Sequence, residues 1–257
     1  MPPRPDLRHR ILAGEATIGA FVNLGSLASA ELTARAGFDW VIVDLEHGMG
    51  SEADIHAQLL AVQGTPTAAL VRVASAERLR VGRALDLGAD GLMIPRLETA
   101  AEVAETLSWM RYPPAGIRGA ALLTRGAGYG EVAHADLHQR NERLTGVFQV
   151  ESPAAVDAAP DLAAMDGVDV LFVGPTDLSH AMGIPGRFDE PAFTAALNRM
   201  VAACRTHGKS AGILLRGPDE VPATLAQGFT FIGVGSDSSF VVAGARRAVA
   251  ESRAAIG

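Results

Sequence analysis

Two carboxylates follow successive apolar runs in the second half of the chain. Glu151 ends the run GVFQVE, and Asp177 lies three residues after the run DVLFVG. Two carboxylates held close together repel each other unless a proton or a cation lies between them. Carboxylate and water ligands without a nearby cysteine suit Mg2+ or Mn2+. The pattern therefore favours a divalent cation site, with the alternative that each acid caps the helix after it.

A second group of polar residues lies after earlier apolar runs. Asp44, Glu46 and His47 stand in DWVIVDLEHG, and Arg72 stands in TAALVRV. A carboxylate near His47 would orient its imidazole and tune its basicity, as a proton shuttle requires. Arg72 offers a planar donor fork that suits a carboxylate or an enolate oxygen. The alternatives are a hydrogen-bonded structural histidine and an arginine in an ordinary ion pair.

Lysine content separates two mechanisms of carbon-carbon chemistry. The chain contains a single lysine, Lys209, which begins the run KSAGILLR. A Schiff-base mechanism needs a lysine that faces the substrate, and this one lies at the wrong end of a predicted strand. Stabilisation of a carbanion would then depend on a metal ion.

Eight short apolar runs supply the elements that must position these residues. Between most of them lie segments with helical spacing, several of which end in a glycine expected at a helix C-terminus: Gly37, Gly64, Gly88 and Gly228. Near-continuous apolar strands that alternate with helices indicate a parallel sheet covered on its outer face. Eight of each favour a single α/β domain over residues 1–257, folded as a (β/α)8 TIM barrel.

In such a barrel the active site lies at the carboxyl ends of the strands, so the polar residues named above, with Gln149, would surround one opening. Backbone N–H groups in the turn Gly174-Pro175-Thr176 could face an anion. The turn GVGSDSS could bind phosphate, but Ser236 and Asp237 fit better as caps of the last helix.

The long irregular segment at about 111–145 is expected to serve function or an interface.

Composition excludes several classes of protein. Apolar residues make up 48% of the chain and charged residues 20%, which is enough apolar material for a large core. A net charge of -7 disfavours nucleic acid and anionic membranes as partners. The single cysteine, Cys204, and the lack of a signal-like or membrane-length apolar run predict a cytoplasmic protein.

Four blocks together resemble the HpcH/HpaI family of metal-dependent pyruvate aldolases. They are SAELTARAGFDWVIVDLEHG, RYPPAGIRG, QVES and FVGPTDLSHAMG, in the order and spacing of the family. The likeness covers nearly the whole chain and implies a barrel of the phosphoenolpyruvate/pyruvate-binding type. It implies a lyase that reversibly cleaves 4-hydroxy-2-oxo acids of the 2-keto-3-deoxy type. The products would be an aldehyde and pyruvate or a pyruvate analogue, formed through an enolate at the metal.

The resemblance also implies roles for single residues. Glu151 and Asp177 would bind the metal, expected to be Mg2+ or Mn2+, with Co2+ as a further candidate. His47 would be the catalytic base, supported by Asp44. Arg72 would bind the keto oxygen and steady the enolate.

Further roles follow from the same likeness. Gln149 would lie beside the metal, and Leu214 would line the aldehyde channel. Asp86 would reach the site of a neighbouring subunit in a homohexamer, a trimer of dimers, with contacts from the 111–145 segment and a helix at about 237–254. The pyruvate carboxylate would be held by backbone N–H groups of a loop made of Gly174, Pro175, Thr176 and Asp177.

Some positions depart from the family pattern and leave the natural aldehyde open. They are Arg96, Arg125 and Tyr129.

Two other functions remain as alternatives. A lyase of acyl-CoA esters, of the malyl-CoA or citryl-CoA type, would need basic groups for a nucleotide tail, and no basic cluster lies near the strand ends. The second is a catalytically silent barrel that binds a small oxo acid.

Overall fold

The eight apolar runs form eight parallel strands that close into a barrel in the order of the sequence. A computed structural model describes residues 6–256. The (β/α)8 barrel predicted from the sequence is confirmed. The strands are β1 (Thr17–Val22), β2 (Trp40–Asp44), β3 (Ala68–Arg72), β4 (Gly91–Ile94), β5 (Thr145–Val150), β6 (Val170–Val173), β7 (Ser210–Leu214) and β8 (Phe231–Ser236).

Helices cover the outside of the barrel. Several N-termini are capped by short polar side chains, such as Ser26, Thr99 and Ser152, each of which accepts a backbone N–H of the first turn. The helices are α1 (Leu7–Leu12), α2 (Leu27–Arg35), α3 (Ile55–Val62), α4 (Arg78–Asp86), α5 (Ala100–Met110), α6 (Pro153–Ala163), α7 (Pro175–Ala181), α8 (Pro191–Thr206), α9 (Val221–Gln227) and α10 (Asp237–Ile256).

The predicted glycines stand one or two residues after their helices. Gly37, Gly88 and Gly228 have φ of +100°, +91° and +107°, the left-handed conformation expected at a helix C-terminus. Gly64 follows α3 without this conformation.

Alternation along each strand sends every second side chain into the barrel. Trp40 and Ile42 of β2 pack in the interior cluster, while Val41 and Val43 pack against the helices. Trp40 stacks on Phe231 with ring centroids 4.0 Å apart. A Cβ at Gly19 would lie 2.0 Å from the Trp40 ring, so a glycine is required on the neighbouring strand. The interior is a packed core, and polar side chains enter it only near the ends of the strands.

The short helix α1 was not predicted from the sequence. Leu7 and Ile11 pack into the interior cluster from the amino ends of the strands. Arg8 pairs at 3.1 Å with Asp169, a fully buried carboxylate directly before β6. Burial raises the pKa of Asp169, although Arg8 opposes that shift. The helix therefore closes the end of the barrel opposite the predicted site.

The segment between α5 and β5 is long and mostly irregular, as predicted. Its regular part is a 3-10 helix at His134–Arg143. Tyr112, Ala127 and Leu137 form a small apolar cluster of their own. Within residues 6–256, no helix has the length and apolar character needed to cross a membrane.

Candidate active site

Strand alternation brings Asp44 and Arg72 into the barrel at the carboxyl ends of β2 and β3. The two residues are partners in the strand register. Arg72 donates from Nε to Asp44 Oδ1 at 2.8 Å and from Nη2 to Oδ2 at 2.7 Å, and both residues are buried. Burial alone would raise the pKa of Asp44, but the bonds and charge of Arg72, with two backbone N–H groups, outweigh it and lower the pKa. Of the two sequence-based alternatives for Arg72, the ion pair is present.

Asp44 contacts the backbone of His47 and not its ring. Asp44 Oδ1 accepts the backbone N–H groups of Glu46 and His47 at 3.0 and 3.2 Å. Asp44 thus supports His47 by fixing the turn that carries it, and of the two nearby carboxylates only Glu46 lies near the ring. The His47 side chain is 54% exposed, and its nearest acid is Glu46, with 3.9 Å between Nε2 and Oε2. The ring is free to meet a substrate.

Glu46 links the basic side chains of the opening, a role that the sequence analysis missed. Its side chain is 8% exposed and lies 3.1 Å from Arg72 Nη1 and 3.2 Å from Arg96 Nε. Its position between Asp44 and His47 in VDLEHG was the available signal. Glu46 thus joins Asp44, Glu151 and Asp177 as a fourth carboxylate of the opening.

The inward face of β5 supplies the next pair of polar side chains. Val147 lies in the interior cluster, so alternation sends Gln149 inward as well, and Glu151 continues the same face one residue past the strand. Gln149 Nε2 donates to Glu151 Oε1 at 2.7 Å. The buried Gln149 Oε1 has no hydrogen-bond partner among residues 6–256. An unsatisfied buried oxygen beside a carboxylate is an acceptor that suits a cation.

Glu151 and Asp177 line one cavity of about 270 Å3. Burial, then the charges of Glu46 and Asp177, raise the pKa of Glu151 to about 7. The alternative that the two acids cap helices is not supported. Ser152 caps α6, and the N-cap of α7 is Gly174. Asp177 lies in the first turn of α7, and its carboxylate accepts no hydrogen bond from the described part of the chain.

The loop before α7 fits closely around Glu151. A Cβ on Gly174 would lie 2.6 Å from Glu151 Oε1, so a larger residue here would force the Glu151 carboxylate to move. Pro175 has no N–H, which corrects the expectation that this residue donates to a carboxylate. Thr176 and Asp177 lie in the first turn of α7, where backbone N–H groups have no carbonyl partner within the helix. These two residues are the possible donors.

The donor set fits a divalent cation. Four carboxylates, those of Asp44, Glu46, Glu151 and Asp177, face two guanidinium groups, those of Arg72 and Arg96, so two negative charges are unbalanced when all are ionised. Residues 6–256 contain no cluster of three or more acidic, histidine or cysteine side chains arranged to hold a metal. Two carboxylates with water or substrate oxygens are a usual environment for Mg2+.

Two further predicted residues, Leu214 and Asp86, lie away from the two acids. Leu214 ends β7 and packs against the interior cluster. Asp86 ends α4, which places it near the opposite end of the barrel, where Arg118 Nη2 donates to it at 2.8 Å. The structure thus does not bring Asp86 to the site of its own chain.

The remaining sequence predictions concern Lys209 and the last turn. Lys209 directly precedes β7, at the amino end of that strand as predicted. Ser236 Oγ accepts the backbone N–H of Ser239, so its predicted capping of α10 is confirmed. Asp237 is buried and accepts the backbone N–H of Asn23 at 2.9 Å. A buried carboxylate in this turn disfavours phosphate there.

Comparison with known proteins agrees with this fold. The family model for HpcH/HpaI aldolase/citrate lyase matches residues 17–243. A 5-keto-4-deoxy-D-glucarate aldolase of Klebsiella pneumoniae is 36% identical over 227 residues, 88% of each chain. The crystal structure of a family protein from Burkholderia cenocepacia superposes with a TM-score of 0.91 at 35% identity, over 96% of this chain and 98% of that one. An HpcH/HpaI aldolase from Desulfitobacterium hafniense gives a TM-score of 0.88 at 26% identity, over 95% of both chains.

The chain belongs to the HpcH/HpaI aldolase/citrate lyase family. It is an enzyme of the aldolase type, as the sequence predicted. The acyl-CoA ester lyase and the catalytically silent barrel are not favoured.

Proposed function

We propose that the chain cleaves 4-hydroxy-2-oxo acids to pyruvate, or a pyruvate analogue, and an aldehyde at the opening lined by Glu151 and Asp177. The observation that carries this proposal is the pairing of these two acids in one cavity, where their repulsion calls for a cation. The substrate of the Klebsiella relative, 5-keto-4-deoxy-D-glucarate, is a member of the proposed class.

Glu151 and Asp177 would hold a divalent cation, with Gln149 beside it. Mg2+ or Mn2+ suits these oxygen donors, and Co2+ is a further candidate. A bound cation supplies Lewis-acid stabilisation of the negative charge that develops on the oxo acid, on the order of several kcal/mol.

Arg72 would meet the keto oxygen of the substrate. A guanidinium group has five N–H donors, and Asp44 and Glu46 occupy about three of them. The remaining donors are fixed in direction, because the ion pairs hold the group in one plane. They therefore need no reorganisation when charge develops on that oxygen. The substrate carboxylate would accept from the backbone N–H groups of Thr176 and Asp177.

His47 would act as the base. In cleavage, a ring nitrogen accepts the proton of the 4-hydroxyl group, and the electron pair of the breaking carbon-carbon bond moves to the three-carbon fragment. The exposed ring, with no hydrogen bond from residues 6–256, is available for this transfer. In condensation the same nitrogen returns the proton to the new hydroxyl group.

The assembly is proposed to be a homohexamer, a trimer of dimers, in which Asp86 reaches the site of a neighbour. The exposed apolar side chains of α10, among them Val241 and Val249, support a role in subunit contacts, as does exposed Leu123 in the long loop. A cytoplasmic setting is proposed because the single cysteine of the chain, Cys204, has no partner for a disulfide.

The test is a cleavage screen with metal-reconstituted protein. A set of 4-hydroxy-2-oxo acids that differ in length and charge is supplied with Mg2+, Mn2+ or Co2+, and pyruvate release is coupled to lactate dehydrogenase. We expect EDTA-sensitive release of pyruvate from at least one acid. Release that persists unchanged in EDTA would contradict the metal-dependent mechanism.

A further inference from the structure

Arg96 differs from Arg72 in how its guanidinium group is used. The Arg72 side chain is 10% exposed and pairs with two carboxylates. The Arg96 side chain is 70% exposed and donates one hydrogen bond, from Nε to Glu46 Oε1 at 3.2 Å. Its two terminal nitrogens donate to nothing in residues 6–256. Arg96 therefore presents an unused donor fork at the opening.

The cavity beside the two carboxylates places this fork next to the reaction site. Arg96 lines it together with Leu97, Glu151, Ser152 and Asp177. Arg96 is also tied to the acids of the opening through Glu46, whose Oε1 accepts from its Nε at 3.2 Å. A ligand held at Glu151 and Asp177 therefore extends past Arg96.

The backbone of Arg96 is held in an unfavourable conformation. Its φ is +59°, a left-handed region that few side chains other than glycine, asparagine and aspartate adopt. Such conformations persist where the surroundings impose them, and they concentrate at functional sites. The conformation follows Pro95, directly after β4, and leaves the side chain exposed beside the acids.

We propose that Arg96 forms a carboxylate subsite, which binds an acidic group at the aldehyde end of the 4-hydroxy-2-oxo acid. This inference rests on the proposed function and names the preferred acceptor as an aldehyde that carries a carboxylate. Glu151 and Asp177 in the lining, and Glu46 beside Arg96, repel such a group, and Arg96 is an exposed cation in the same lining. The planar fork of arginine suits bidentate binding of a carboxylate.

The experiment compares charged and neutral aldehydes in condensation with pyruvate. The pairs are glyoxylate with glycolaldehyde, and succinic semialdehyde with butanal. The variant is Arg96→Asn, because asparagine tolerates the left-handed backbone while it removes the cation. Arg216→Gln is the matched control, since Arg216 is 76% exposed, follows β7 and pairs with Glu220 outside the cavity.

For Arg96→Asn we expect KM for the charged aldehydes to rise roughly 10- to 100-fold, because one charge-assisted pair with the aldehyde carboxylate is lost. Values of kcat, and KM for the neutral aldehydes, should change less than threefold. Arg96→Lys should recover part of the loss, because the charge returns without the fork. Arg216→Gln should match the wild type.

Equal losses of Arg96→Asn on charged and neutral aldehydes would overturn the subsite, since they would show that Arg96 acts through Glu46. Unchanged kinetics on both would overturn it as well. Either result leaves the proposed function standing, because the wild type remains active. A wild-type protein that condenses pyruvate with none of the four aldehydes would overturn the subsite, and one that also cleaves none of the 4-hydroxy-2-oxo acids of the screen would overturn the proposed function.

Discussion

Arg72 and Asp44 form a buried, two-bond ion pair at the carboxyl ends of neighbouring strands, with distances of 2.8 and 2.7 Å. The pair serves both stability and catalysis, because it also fixes the guanidinium group of Arg72, which is proposed to meet the keto oxygen of the substrate. The same carboxylate also fixes the turn that carries His47. A single change at Asp44 should therefore lower both stability and activity.

We expect Asp44→Asn to lower the free energy of unfolding by about 3 kcal/mol at pH 7, because it leaves Arg72 buried without its partner. It should lower kcat far more than it changes KM. Urea unfolding and steady-state kinetics measure the two effects. Arg80→Ala removes a half-exposed pair with Glu52 and should cost less than about 1 kcal/mol. Equal stability of the two variants would contradict the role of the buried pair.

The lowered pKa of Asp44 makes the free energy of unfolding depend on pH in the acidic range. A group whose pKa is lower in the folded chain stabilises the fold above its ordinary pKa of 3.8, and that contribution is lost as the pH falls through the lower, folded value. The difference in unfolding free energy between wild type and Asp44→Asn should therefore shrink below about pH 4. A difference that stays constant down to pH 2 would exclude this linkage.

Glu151 should release a proton when a metal binds. Its raised pKa, about 7, means that the metal-free folded protein holds this proton at pH 6 and has largely lost it at pH 8. Ionised Glu151 lowers the free energy of unfolding above pH 7, and this cost disappears as the pH falls toward 4.5, the ordinary pKa of a glutamate. Calorimetric titration with Mn2+ in two buffers of different ionisation enthalpy should give nearly one proton released at pH 6 and nearly none at pH 8.

Glu151→Gln is the control for this release, because the amide has no proton to lose. It should bind Mn2+ weakly and without a pH-dependent release of protons. Metal binding by the wild type without proton release at pH 6 would show that Glu151 is not a ligand.

At the opposite end of the barrel, Arg8 should matter for stability alone. Asp169 is fully buried, and Arg8→Ala leaves its carboxylate without its ion-pair partner, at a cost of about 3–5 kcal/mol. Arg35→Ala, which removes an exposed pair with Glu31, should cost less than about 0.5 kcal/mol. Thermal unfolding separates the two variants, and kcat of folded Arg8→Ala should equal that of the wild type. A loss of kcat would contradict this assignment.

The assembly can be tested through α10. Val241, Val249 and Ile256 are exposed and fall on one face of that helix by their spacing. The double variant Val241→Lys, Val249→Lys should sediment as smaller species than the wild type. Arg247→Ala changes the opposite face and should leave the assembly intact. A wild-type chain that sediments as a monomer would contradict the proposed hexamer.

Much of the fold could be predicted because strand and helix patterns are local properties of the sequence. The eight apolar runs correspond to the eight strands, and these strands pair around the barrel in the order of the sequence. The helix α1 escaped prediction, since its apolar residues, Leu7 and Ile11, are too few to form a pattern and are buried only by tertiary contacts. The partners of Asp44 depend on strand register, which no local pattern contains. For the same reason, the link from Glu46 to Arg96 became visible only in three dimensions.

The most direct test of the cation site measures binding and turnover on the same samples. Mn2+ binding is followed by electron paramagnetic resonance, and pyruvate release from a 4-hydroxy-2-oxo acid by a coupled assay, for wild type, Asp177→Asn and His47→Ala. We expect Asp177→Asn to lose both tight Mn2+ binding and turnover, and His47→Ala to keep the binding but lose turnover at least 100-fold. Full Mn2+ binding and turnover in Asp177→Asn would contradict a metal held by Glu151 and Asp177.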